Sequence, residues 1–259
     1  MKKSIFSNKI LLTTIGCIIF LLLWIIVSAI IGDTKMIFPD PLSTFKETFV
    51  ILGKSYIYKC IAWTMLKMII GFSISFIIAL VFGVLAGTFP SFKVVLKPIM
   101  IAIKSIPTAA LVFLFLVITN AKYAPIFIVI LISFPILYEA IAAGVNNTSE
   151  EVIDASRVDG ASRAKMIFRI RLPLAIPYIA VGITSSFALA FKIEIMAEVI
   201  TGSTTDGIGS AILSAQKTDP SNMVTIFAYS LIAIVFILLL TIIEEIVTWY
   251  IKKKTNLLS

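Results

Sequence analysis

Long apolar runs closed by short polar stretches divide this chain almost from end to end. The first, Ile10 to Ile31, is uncharged and follows Lys2, Lys3 and Lys9. It is longer than an apolar signal core and no small-x-small cleavage site follows it, so it predicts a membrane-spanning helix rather than a leader. Five more spans are expected, at about Ile61–Thr88, Pro98–Ile118, Ala124–Val145, Leu174–Ile200 and Met223–Ile243. The last continues through Glu244 and Glu245 to Lys252, Lys253 and Lys254. A polar segment at 32–59 carries a turn at Pro39 and Pro41 and a weakly amphipathic piece from Leu42 to Leu52. Phe89 to Lys97 reads as a loop, and Thr201 to Asn222 as a polar loop turned by Gly202, Gly207 and Gly209.

One polar passage has a different pattern. From Thr148 to Pro173 the chain is densely charged, yet apolar residues recur at Val152, Ala155 and Val158 and again at Met166, Ile167 and Ile170. That spacing predicts two short amphipathic helices. Thr148 with Glu151 forms a capping-box pattern for the first, and Glu150 and Glu151 suit the positive end of its dipole. Gly160 ends it, because glycine enters the left-handed conformation without a side-chain clash. Ser162 is placed to cap the second, and Pro173 marks the first turn of the next span. An apolar stripe too short to cross a membrane must be covered by something else, and a partner protein is expected.

Within the spans, small residues recur every four positions at Gly71, Ser75, Ala79, Gly83 and Gly87, a face on which another helix can approach closely. A solute path lined by backbone is the other use of such a face. On the fifth span the same step runs Gly182, Ser186, Ala190, Glu194, Glu198, so one face passes from small to acidic, with Lys192 on another face. Ionisable residues inside a span normally face the bundle interior or a water-filled cavity. Lys192, Glu194 and Glu198 are therefore candidates either for lining a translocation path or for an ion pair that holds subunits together. Glu139 is a further path candidate, which either needs a buried partner or reaches the polar surface. Lys104, near a span end, is expected to extend its stem toward the headgroups.

Composition narrows the function classes. Of 259 residues 59% are hydrophobic and 14% charged, well below the roughly 25% charged of soluble domains. The net charge of +8 comes from basic residues scattered between apolar runs, which membrane topology explains and nucleic-acid binding does not. With no histidine, and with Cys17 and Cys60 in or beside apolar runs, neither a soft-metal site, a histidine acid–base pair nor a disulfide framework is indicated. No phosphate-loop motif occurs in the sequence. Six spans put both termini on one side of the membrane. That side carries thirteen Lys and Arg outside the spans and the other six, which predicts cytoplasmic termini and a cytoplasmic Thr148–Pro173 passage.

The same passage carries a family resemblance. Asp154, Ala155 and Ser156, then Gly160 after three residues, then Ile170, Leu172 and Pro173 resemble the cytoplasmic EAA loop of bacterial ABC importer permeases. Asp154 stands where that family usually has Glu, and Ser156 where it often has Ala. Three shorter stretches resemble the nitrate, sulfonate and taurine group of these permeases. They are Phe38–Pro41, KSIP at Lys104–Pro107, and AFKIEIMAEVI at Ala190–Ile200, the last with Phe191 replacing Trp. The resemblance covers roughly Phe72 to Lys252.

It implies an all-α membrane protein of the type I importer permease (MetI-like) fold, with six transmembrane helices in the bacterial cytoplasmic membrane. An N-terminal helix and extracellular segment (1–60) would precede a permease core (61–252), whose coupling loop is 148–173, and a cytoplasmic tail (253–259). By resemblance two copies form the pore, separate ATP-binding cassette subunits bind ATP and Mg and dock on the loops, and an external solute-binding lipoprotein delivers a small solute. This chain is then expected to bind no cofactor of its own and to catalyse no reaction. A stand-alone ion-coupled carrier using Lys192, Glu194 and Glu198 is the competing reading, but no inverted repeat supports it and it leaves the loop spacing unexplained. An intramembrane enzyme lacks any motif.

Overall fold

The computed structural model describes residues 2–31, 37–203 and 205–255. Residues 32–36 of the expected external segment and 256–259 of the expected tail lie outside the described residues. Every regular element among them is a helix, with no strand. Five helices are long and apolar enough to cross a membrane, and a sixth span results if one sharply bent pair is counted as one.

The chain forms two compact units, residues 1–58 with 211–234, and residues 59–210 with 235–259. The first contains α1 (Lys2–Ile31) and α2 (Pro41–Leu52), with parts of α3 (Ser55–Thr88), α10 (Ile208–Thr218) and α11 (Met223–Thr255). Asp40 caps α2 by accepting from the Ser43 amide at 2.8 Å, with Pro41 in its first turn. Trp24 of α1 donates to the Pro39 carbonyl at 3.0 Å, and its ring lies 6.4 Å from that of Phe227. An indole can thus tie the Phe38–Pro41 turn while its ring stays in apolar surroundings.

The larger unit is built around α6 (Ala124–Asn146), most of whose length is buried. The small residues of α3 face it: a Cβ on Gly83 would lie 2.8 Å from Ile141 Cβ, and one on Gly87 2.6 Å from Val145 Cβ. Of the two uses the sequence leaves open, the stripe is a packing face. α9 (Leu172–Thr201) covers α6 from another side and runs antiparallel to it, with Gly144 of α6 against Ala175 and Tyr178. A side chain at Gly144 would meet Tyr178 Cβ at 2.8 Å and Ala175 Cβ at 2.9 Å. Gly144→Val should therefore lower the thermal midpoint of the purified protein by the equivalent of about 1–3 kcal/mol, the usual cost of overpacking. Gly16→Ala, inside α1 with nothing within 4 Å, should leave the midpoint unlowered or raise it slightly, since Ala suits a helix interior better than Gly.

Three elements differ from expectation. The third span is not one helix from Pro98. α4 (Pro90–Ser105) starts eight residues earlier, and α5 (Thr108–Ile118) leaves it at 95°. Pro107 has no N–H for the ladder and biases Ile106 to an extended conformation, so the helix stops there, whereas Pro98 is accommodated inside α4. α3 starts at Ser55 rather than Ile61, and the 201–222 loop contains α10.

Candidate functional site

The polar passage folds as two short helices joined at Gly160. α7 (Glu150–Val158) has Glu150 and Glu151 in its first turn. Its N-cap is Ser149 and not Thr148, whose hydroxyl instead donates back to the Val145 carbonyl at 3.2 Å and closes the end of α6. At the other end the Ala161 amide donates to the Ser156 carbonyl and the Gly160 amide to the Arg157 carbonyl, both at 3.0 Å, a Schellman closure. Gly160 takes φ +72°, the left-handed conformation that this closure requires. Ser162 caps α8 (Arg163–Met166), accepting from the Lys165 amide at 3.3 Å. The expected second helix then widens into a π turn, Ile167–Arg171, that feeds α9. Arg171 donates to the Gly87 carbonyl at 3.4 Å, tying the passage to the end of α3.

This arrangement leaves an uncovered face. Ile153 points inward and is buried, whereas Val152, Ala155 and Val158 are exposed, Val158 to 88%. Asp154 pairs with Arg157 across one turn at 2.9 Å, and both are exposed. Ile170 and Leu172 are half-buried at the base, and Pro173 is exposed in the first turn of α9. Asp154, Ala155, Ser156 and Gly160 therefore lie together on α7 and its closure, with Ile170, Leu172 and Pro173 at the root of the passage.

A second polar cluster sits near the far end of α9. Gly182, Ser186, Ala190, Glu194 and Glu198 are all buried along one face, while Lys192 is exposed and apart from them. The cation facing the two glutamates is Lys67 of α3, which pairs directly with Glu198 and stands 3.8 Å from Glu194, with all three side chains at most 6% exposed. Glu198 also accepts from the Thr64 hydroxyl at 3.0 Å and from the Gly209 amide at 2.9 Å. Thr64 in turn accepts from the Ile208 amide at 2.9 Å, and Lys67 donates to the Thr205 hydroxyl at 3.2 Å. Glu194, in contrast, has no hydrogen-bond partner on either oxygen. The cluster thus fastens the turn before α10 onto α3 and α9. Gly207 and Gly209 serve close packing there, since a Cβ on Gly209 would lie 2.6 Å from that of Glu198.

Lys67 was not among the expected site residues. The signal for it was available: it is the one charge between Ile61 and Thr88, on the register of Gly71, Ser75 and Ala79. Glu139 does find a partner, but not a buried one. It pairs at 2.5 Å with Lys104, which reaches this carboxylate instead of standing alone toward headgroups, and the two side chains are 54% and 44% exposed. Among the described residues no group of His, Cys, Asp and Glu is arranged to hold a metal ion.

Comparison with known proteins gives these features a common context. The bicarbonate transport permease CmpB of Synechococcus elongatus is 29% identical over 223 residues, covering 81% of this chain and 78% of that protein. The glycine betaine/proline betaine permease ProW of Escherichia coli is 25% identical over 138 residues, 53% of this chain and 38% of that one. A structure of the inward-facing MetNI methionine ABC transporter matches with a TM-score of 0.59 at 18% identity, over 73% of this chain and 93% of that one, a likeness of fold. Residues 79–256, which hold α6, the Gly160 closure and both glutamates of α9, match the model of the binding-protein-dependent transport system inner membrane component, and the chain belongs to that family of ABC importer permeases.

Proposed function

We propose that this chain is the membrane-spanning subunit of an ATP-driven importer that takes up a small solute handed over by an external binding lipoprotein. Two copies form the pore. On the cytoplasmic side the 148–173 passage of each copy seats in a groove of a separate ATP-binding subunit, which holds ATP and Mg. The carrying observation is the uncovered stripe of Val152, Ala155 and Val158 on a helix whose C-terminal end is closed by the Gly160 and Ala161 amides. A short helix with so defined an end, whose apolar side faces outward, has the form of a docking element. Seating in two different ways in the two pore conformations is the physical requirement for ATP binding to move the pore, because a ligand shifts an equilibrium only through differential affinity.

The solute is small and of the sulfonate, taurine or nitrate type or another small organic molecule; the relatives that transport bicarbonate and betaine carry solutes of similar size.

The test is copurification of the tagged chain from mild detergent, with identification of what accompanies it. An ATP-binding subunit is expected in the wild type. Val158→Glu puts a charge at the most exposed point of the stripe and should cut its recovery about tenfold or more, as loss of an interface anchor does. Membrane insertion should be unchanged. Recovery of the chain alone in several gentle detergents would favour the ion-coupled carrier.

A further inference from the structure

The break between α4 and α5 carries a feature that docking and packing leave unused. α6 has a single charged residue, Glu139, and six apolar residues separate it from Asn146 at the helix end. At 1.5 Å per residue this puts the carboxylate about 10 Å inside that end. Its partner Lys104 lies in the last turn of α4, immediately before the 95° bend. Ile106 and Pro107 have extended backbones at the bend, with ψ of 127° and 129°. Ser105, Ile106, Pro107, Ala109 and Ala110 are all exposed.

Two independent requirements meet here. A paired lysine and glutamate on an apolar span need protein or water beside them. Non-helical backbone in such a span is tolerated only where protein covers it or where it lines a water-filled cavity. Within the chain neither the pair nor the bend is covered. Because each charge already has its partner at 2.5 Å, the pair needs no second copy to neutralise it.

We infer that the α4–α5 break, with Lys104 and Glu139, lines the aqueous part of the solute path and that Lys104 is a contact for an anionic group on the solute. Donors dominate at the break: the lysine ammonium and the peptide N–H groups that open α5 stand against one carboxylate, while the Ser105 hydroxyl donates to the Ile101 carbonyl at 2.7 Å. An arriving carboxylate, sulfonate or bicarbonate group exchanges with Glu139 at Lys104, and Glu139 closes the contact again once it has passed. The inference rests on the permease reading and adds to it a location and a charge.

Its test uses thiol accessibility, which this chain suits because Cys17 and Cys60 are its only cysteines. In a background with both replaced by alanine, Ser105→Cys and, separately, Ala109→Cys are introduced into the full transporter in membranes. Two impermeant methanethiosulfonates of opposite charge are the probes, one bearing a sulfonate and one a trimethylammonium. Both positions should react far faster than Val117→Cys on the exposed apolar side of α5. The anionic reagent should be favoured about tenfold, the scale of focusing by a charged cleft, and Lys104→Gln should abolish the preference. The rate should also change between the nucleotide-free and the ATP-trapped transporter.

Failure of both positions to react, or a disulfide formed readily between copies through Ser105→Cys, would make this face a packed interface and overturn the inference. Labelling that ignores nucleotide state would move the break to the lipid headgroups, and preference for the cationic reagent would overturn the assigned charge. Copurification of the ATP-binding subunit is scored on the same membranes. Its absence would count against the permease reading, whereas its presence with unreactive cysteines would count against this inference alone.

Discussion

Substitutions at Gly160 should rank by their tolerance of a left-handed backbone, with Asn least harmful, Ala next, then Val, and Pro inactive. The residue holds φ +72°, and a Cβ there would meet nothing within 4 Å. Any loss of function must therefore come from the backbone and not from a clash. A non-glycine residue in this region costs about 1–2 kcal/mol, Asn less because its short polar side chain bonds locally, and a β-branched residue more. Proline cannot adopt a positive φ at all. The strain is relieved by opening the turn, which breaks the hydrogen bonds from Gly160 and Ala161 and swings α8 away from α7. The proposed docking surface is then divided, and solute-stimulated ATP hydrolysis in proteoliposomes should fall about tenfold or more for Val, in line with 1.4 kcal/mol per decade. Because Gly160 is exposed and outside the spans, the yield of inserted protein should not change. Equal stimulated hydrolysis in Asn, Val and Pro variants would remove this turn from the coupling mechanism.

Much of that turn was legible in advance, because its determinants are local. A glycine after a short amphipathic segment, a serine three residues before Lys165 and acidic residues in a first turn each act on their own neighbourhood, and each stands where the pattern put it. The one-residue error in the N-cap has a tertiary origin: Thr148 is drawn back to the carbonyl of Val145 at the end of α6, which leaves Ser149 to begin α7. The small-residue stripe of α3 was legible for a similar reason, since a four-residue step fixes a face whatever that face meets. Its partner α6 was not, because no periodicity names the helix across the contact. The same limit hid Lys67. Glu194 and Glu198 announce a buried acidic face from their own helix, but the nearest lysine in sequence, Lys192, points the other way, and the cation that answers them lies more than a hundred residues earlier. The bend at Ile106 was written in Pro107 and was overridden in the reading by the continuous hydrophobicity on both sides of it.

That pairing makes the three buried charges unequal. Among the described residues Lys67 is the single cation near both carboxyl groups, whose side chains are 0% exposed, so Lys67→Met leaves both without a counter-ion. Breaking a buried pair from one side costs about 3–5 kcal/mol because the partner is left uncompensated, here Glu198. The variant should show the largest fall in thermal midpoint of any single change in the chain, together with a loosened 205–210 turn that exchanges its amide hydrogens faster. Glu198→Gln should do less harm, since an amide oxygen still accepts from Gly209 and Thr64. Glu194→Gln should be close to neutral or stabilising: its carboxylate makes no hydrogen bond and is 3.8 Å from the one ammonium that Glu198 already holds. Combining the glutamine changes with Lys67→Met should recover part of the loss, because these residues share one network and their effects do not add. The two glutamates stand one helical turn apart on the same face, so packing alone predicts similar costs for both. Equal effects of Glu194→Gln and Glu198→Gln, or a harmless Lys67→Met, would show that the cluster is not held by charge, and that the turn before α10 is fixed to α9 by the close approach of Gly207 and Gly209 instead.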